Sequence, residues 1–171
     1  LERGELTVAF DRPSGTFVLR YFEHRFPLAP ASYAPVLERA ASIAPAEAAP
    51  VLRERAAAFA ALRGRPREGR KRAALRERIA GAQLDLAATL AGVAALARAV
   101  DEACASYAGD PDRLDALVRA QHYRPAFWRT AADEINYRRF FDINELVGLR
   151  VEDAEVLART HELVFAMVAD G

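Results

Sequence analysis

Asp133, Glu134, Asp142 and Glu145 bring four carboxylates together near the C-terminal end of the chain. In retaining glycosyl transfer, two carboxyl groups about 5 Å apart act as nucleophile and acid/base, so this stretch is the first candidate for chemistry. Asp142-Ile143-Asn144-Glu145 is also a capping-box pattern. In that arrangement Asp142 accepts from the amide three residues on, and Glu145 reaches back to the start of the helix. Capping takes precedence over direct chemistry. Arg138 and Arg139 are followed at once by Phe140 and Phe141. Such a group could bind a sugar, with aromatic rings against pyranose C–H faces and guanidinium groups donating to hydroxyls. It equally suits a buried extended segment whose phenylalanines fill core and whose arginines pair with nearby acids.

Other chemistry-bearing residues point to plainer roles. His24, His122 and His161 are far apart and lack an i,i+4 partner, so no metal site is expected. His161 reads as an ordinary packed or half-exposed residue. Cys104 is the only cysteine, which excludes an intrachain disulfide and a cysteine-based zinc knuckle; its place on an apolar stripe predicts a buried small hydrophobe. Ser14, Ser32, Ser42 and Ser106 show no nucleophile-elbow context. The basic run Arg63, Arg65, Arg67, Arg70, Lys71, Arg72, Arg76 and Arg78 has no interleaved aromatics. It therefore predicts a solvated loop and helix start in preference to a phosphate-binding surface.

The elements that must hold these residues are legible from periodicity. Leu6, Val8 and Phe10 alternate with Thr7 and Ala9, and Phe17, Leu19 and Tyr21 alternate after a turn at Asp11-Arg12-Pro13-Ser14-Gly15. Two strands joined in a hairpin follow, and Pro27 and Pro30 end the extended stretch. Ser32 predicts an N-cap for a helix to about Ser42 bearing Tyr33, Val36, Leu37 and Ala40. A second helix should start near Pro50, carry Leu52, Phe59 and Leu62, and stop at Gly64. After the polar loop Arg65–Arg70, one long helix is expected from about Arg72 to Tyr107. Its stripe is Leu75, Ile79, Ala82, Leu86, Leu90, Val93, Leu96, Val100, Cys104 and Tyr107, each step three or four residues. Asp110-Pro111 caps a helix with Leu114, Leu117 and Val118. Gln121 to Glu145 is dense in aromatics and charges without a clean period, the texture of a site-forming or surface-shaping segment. A last helix is expected from Asp153 to Gly171.

Composition narrows the classes. The 171 residues are 52% hydrophobic, ample for a core, and acidic and basic residues balance at 24 each. No global field calls for nucleic acid, anionic lipid or an acidic partner. Leu86 to Ala97, the longest uncharged run in the alanine-rich middle, falls short of the roughly 20 residues a membrane span needs. Nothing resembles a signal peptide, and a reducing cytoplasm is the default for a chain without paired cysteines. The start at Leu1 without Met and the ending in Ala-Asp-Gly suggest an excised fragment.

The run EINYRRFFDINELVGLRVE from Glu134 to Glu152 closely resembles a signature stretch of maltooligosyl trehalose synthases. Tyr123-Arg124-Pro125-Ala126-Phe127-Trp128-Arg129 looks like that family's tract ahead of the signature, and Glu155 to His161 and on to Gly171 fits the helix that follows it. Near the start, Arg25-Phe26-Pro27-Leu28-Ala29-Pro30-Ala31-Ser32-Tyr33 is similar to a looser family pattern after a strand pair. Across the alanine-rich middle the likeness is nearly absent.

The resemblance implies a parent of the α-amylase type, built on a (β/α)8 barrel. Such an enzyme converts the reducing-end α-1,4 link of a maltooligosaccharide to an α,α-1,1 link by intramolecular transglucosylation, without a cofactor. It implies an Asp nucleophile, a Glu acid/base and a further Asp in stretches this chain does not contain, so no catalytic residue is assigned. The fragment alone is expected to be inactive. What carries over is a set of substrate-cleft candidates, Asn136, Tyr137, Arg138, Arg139, Phe140, Phe141, Asp142, Asn144, Glu145 and Arg150. The expected fold is mainly α with an N-terminal β-hairpin, a helical insert of the barrel enzyme. Residues 1–30 would form the hairpin region, 31–120 the helical insert, and 121–171 the signature and the helix leading back to the barrel. The expected partner is the maltooligosaccharide, with neither nucleic acid nor membrane. Two other classes compete: a stand-alone helical interaction module docking its apolar stripe on a partner, and a module that binds α-glucan without chemistry.

Overall fold

The structure, a computed structural model, describes residues 5–64, 69–125 and 153–169. The chain divides into two compact units, Leu1–Pro125 and Ala126–Gly171. The described part is mainly helical, with a small antiparallel sheet at its N-terminal end.

In the first unit β1 (Leu6–Asp11), β2 (Thr16–Tyr21) and β3 (His24–Pro27) form a sheet in the order β1-β2-β3. The alternation does what period two requires: Val8 faces Leu19 and Phe10 faces Phe17 across one surface of the sheet. Three strands replace the expected two. The chain reverses again at Phe22-Glu23 and adds β3, with Leu19 opposite Phe26 and Val18 opposite Pro27. Pro27 is tolerated because β3 is an edge strand.

A short 3-10 turn, Pro30–Ser32, leads into α1 (Tyr33–Ile43), followed by α2 (Ala49–Ala60). Ser32 sits at the expected N-cap position without making a capping bond. Its hydroxyl donates instead to the Ala29 carbonyl at 2.6 Å and accepts from Gln121 Nε2 at 3.1 Å. Helix α2 ends at Ala60, ahead of Gly64, whose φ of 134° belongs to the loop beyond.

The single long helix is corrected to two, α3 (Gly69–Gly92) and α4 (Ala94–Ser106), bent by 113°. Val93 between them is extended, with φ −136° and ψ 102°. A straight helix over this span would be roughly 57 Å long, far beyond the core it has to cover. Folding back lets Leu86 and Leu90 of α3 and Leu96, Val100 and Cys104 of α4 enter one core, and leaves Val93 outside at 43% exposure. The stripe has a continuous period, but its members reach that core from two directions.

Helix α5 (Pro111–Arg119) begins as the sequence predicts: Asp110 Oδ1 accepts from the Arg113 amide at 3.0 Å. The core centres on Phe17, Tyr33, Phe59, Leu37 and Leu52, all essentially without solvent contact. Phe17 meets Tyr33 edge-on at 5.0 Å, and Tyr33 meets Phe59 at 4.8 Å. Each such burial stabilises the fold by about 2 kcal/mol. Sheet, α1, α2 and α4 thus share one hydrophobic cluster.

In the second unit the expected last helix is two short ones, α6 (Ala154–Thr160) and α7 (Glu162–Ala169), separated at His161. Asp153 caps α6 by accepting from the Glu155 amide at 2.9 Å. Thr160 Oγ1 donates to the Val156 carbonyl at 2.8 Å, a side-chain bond that competes with the helix ladder where the helix breaks.

Candidate functional site

The ten cleft candidates, Asn136, Tyr137, Arg138, Arg139, Phe140, Phe141, Asp142, Asn144, Glu145 and Arg150, lie outside the described residues, as do Asp133 and Glu134. Their flanks are described: Gln121 to Pro125 on one side and Asp153 on the other.

Gln121 makes three side-chain hydrogen bonds at the first flank. Its Oε1 accepts from the Ala29 amide at 2.6 Å, and its Nε2 donates to Ser32 Oγ at 3.1 Å and to the Leu117 carbonyl at 2.6 Å. The end of α5 is thereby fastened to the connection between β3 and α1. Two residues on, Tyr123 lies 6.1 Å from Phe26 of β3, ring centre to ring centre. The Tyr123 hydroxyl is buried with no hydrogen-bond partner among the described residues, and burial raises its pKa. Sequence reasoning missed both roles, because neither a lone glutamine nor a lone tyrosine announces a partner about ninety positions away.

A row of rings occupies this end of the sheet. His24 lies 6.2 Å from Phe26, and Tyr21, which pairs with His24 across the strands, meets Phe22 edge-on at 4.8 Å. Tyr21 and Phe22 are 40% and 69% exposed. Phe22 has a φ of 51°, in the left-handed region that bulky residues avoid. The two-residue turn Phe22-Glu23 contains none of the Gly, Asn or Asp that normally mark such a reversal, which is why β3 is hard to see in the sequence.

At the opposite end of the sheet, Asp11 accepts from Ser14 Oγ and pairs with Arg25. Both contacts, the Ser14 bond first, hold its carboxyl below the usual aspartate range. A shallow recess of about 330 Å³ beside it is lined by Arg12, Arg20 and Arg25 among others. Arg12 is paired with Asp101 at 2.5 Å and Arg25 with Asp11, so most of that positive charge is neutralised within the protein.

The remaining candidates take structural roles. Cys104 is buried, and burial, with Asp101 nearby, pushes its thiol up to about 12, the reverse of an activated nucleophile. Ser42 and Ser106 donate to carbonyls three residues back at 2.7 Å each. His24 is exposed, 3.7 Å from Glu23. His161 has Nδ1 at 3.2 Å from the Leu157 carbonyl and stacks on Phe165 at 5.8 Å. Of the basic run, Arg63, Arg70, Lys71, Arg76 and Arg78 are exposed and Arg72 is half-buried, while Arg65 and Arg67 lie outside the described residues. Among the described residues no group of His, Cys, Asp and Glu could hold a metal ion, and no single helix is long and apolar enough to cross a membrane. Comparison with family models, curated proteins and solved structures finds no match for this chain.

Proposed function

We propose that this chain is the helical excursion between the third and fourth strands of a (β/α)8-barrel enzyme. That cytoplasmic enzyme converts the reducing-end α-1,4 link of a maltooligosaccharide to an α,α-1,1 link by intramolecular transglucosylation. The observation that carries the reading is the Glu134–Glu152 run with its resemblance to maltooligosyl trehalose synthases. The stretches 25–33 and 123–129 resemble the same family.

In this reading the chain holds the Asn136–Arg150 stretch toward the substrate cleft, and the reacting carboxylates belong to flanking sequence. Arginine and aromatic side chains in that stretch would grip hydroxyls and ring faces of the glucan. Of the stripe a helical interaction module would present, Leu86, Leu90, Leu96, Val100, Cys104 and Tyr107 are buried, Leu75, Ile79 and Ala82 half-buried and Val93 exposed.

The test is to express the longer reading frame and incubate it with maltopentaose, following reducing ends and the anomeric proton spectrum. Reducing ends should disappear without a fall in total oligosaccharide, as an α,α-1,1 signal grows. A frame that binds maltopentaose but leaves its reducing ends intact would instead identify a binding module. Turnover by the 171-residue chain unaided would overturn the placing of the working carboxylates outside it.

A further inference from the structure

We propose that the bend at Gly92-Val93 is an exchange hinge, at which α3 and α4 join into one straight helix while two copies of this chain trade α4 and α5 to complete each other's core. The inference concerns association of the chain with itself and draws nothing from the sugar-handling reading. Its first support is the stripe. Leu86, Leu90, Val93, Leu96 and Val100 keep steps of three or four residues through the bend, and neither helix nor Val93 between them contributes a proline. The sequence thus encodes an unbroken helix as well as the bent pair. Backbone polar groups favour joining. The last carbonyls of α3 would accept from the first amides of α4, whereas at the bend Val93 offers α4 no side-chain cap.

Gly92 is the second support. A β-carbon added there meets nothing within 4 Å, and its φ lies outside the left-handed region, so the bent form has no steric need of glycine. Inside an unbroken helix, by contrast, glycine is disfavoured about fivefold relative to alanine. Gly92 therefore acts on the straight form, holding it back. The contacts on either side of the hinge say which parts trade places. Arg55 of α2 pairs with Asp85 of α3 at 2.5 Å, which ties α3 to the elements before it. Leu96, Val100 and Cys104 of α4 fill the core, and Asp101 pairs with Arg12. A second copy's α4 restores these last contacts, and exchange of an identical element is a low-cost route to a dimer. Residues 91–94 are exposed and uncharged, and two such hinges crossing in the dimer would cover one another.

The experiment is size-exclusion chromatography with light scattering on the 171-residue chain, Gly92→Ala and Gly92→Ala/Ala94→Pro across a range of concentrations. Gly92→Ala should raise the dimer association constant about 25-fold, about fivefold from each copy. Adding Ala94→Pro should abolish the gain, because a proline inside a helix removes a hydrogen bond and clashes one turn back. Exchange is told from face-to-face pairing by pulsed EPR distances within one chain, using Ala74→Cys/Glu102→Cys in a Cys104→Ala background diluted with unlabelled protein. The 113° bend sets these two sites about 26 Å apart along the helix axes, and a straight helix sets them about 42 Å apart. Dimeric Gly92→Ala should show the longer distance. A monomer at every concentration, a dimer that keeps the shorter distance, or dimerisation undiminished by the proline would overturn the proposal.

Discussion

Gly15 rests directly on the backbone of α3: a β-carbon added there would lie 2.1 Å from the Gln83 carbonyl oxygen and 2.7 Å from its carbon. The same Gln83 donates from Nε2 to the Tyr33 hydroxyl at 3.2 Å. One residue of α3 thus receives the β1–β2 turn on its main chain and the first residue of α1 on its side chain. Gly15→Ala meets two obstacles, because φ at this position is +63° and the obstructing atoms are backbone. The variant should lose more than about 2 kcal/mol of stability, read as a lower urea midpoint. A change below about 0.5 kcal/mol would mean that the turn does not sit on α3.

Gln121 makes the corresponding long-range tie at the other end of the first unit. Gln121→Ala leaves the Ala29 amide and the buried Ser32 hydroxyl without that partner, at a cost of about 1–3 kcal/mol. In a double-mutant cycle with Ser32→Ala the two losses should be non-additive by at least about 0.5 kcal/mol. Additive losses would show that the two side chains act independently.

These two ties mark the limit of what periodicity reveals. The first two strands, α1, the Asp110 cap and the burial of Cys104 follow from alternation, capping residues and the apolar stripe, all of them local signals. The third strand was hidden by a turn without turn residues, Phe22-Glu23. The break at Val93 was masked because Leu90, Val93 and Leu96 keep helical spacing through it; Gly92, the last residue of α3, was the one local hint beside it. Gly15 was legible as a turn residue, but its contact with Gln83 is tertiary and has no sequence signature. Of the site, the described flank at Tyr123 belongs to a stretch singled out by resemblance, whereas Asn136–Arg150 lies outside the described residues.

Burial of Cys104 has a consequence at alkaline pH. Its folded pKa is about 12, against an ordinary value of 9.0, and burial also raises Tyr33, Tyr107 and Tyr123. Below about pH 8 these groups are protonated in both states and add no pH dependence. Above the ordinary values the unfolded chain releases protons that the folded chain keeps, so stability falls as pH rises. The decline should begin near pH 9 from Cys104, approaching about 1.4 kcal/mol per pH unit for that group, and steepen past the ordinary tyrosine range. Urea midpoints from pH 7 to 11 measure it, and Cys104→Ala should delay the onset by about one unit. A midpoint flat to pH 11 would contradict the burial. Labelling of the native thiol at pH 8 should likewise wait for unfolding.

The bend between α3 and α4 is open to a direct test with proline. Ala94 is the first residue of α4, it is exposed, and Val93 before it is already extended. Proline favours that first helical position, and the residue preceding a proline favours extended backbone. Ala94→Pro should therefore change stability by less than about 1 kcal/mol. In the uninterrupted helix that the stripe suggests, the same substitution would remove an interior hydrogen bond and cost about 3 kcal/mol or more. Ala88→Pro supplies the control, since Ala88 is equally exposed but lies inside α3, and it should show the full loss. Equal damage from both prolines would restore the single long helix, and with it a core in which the α3 and α4 leucines could not converge.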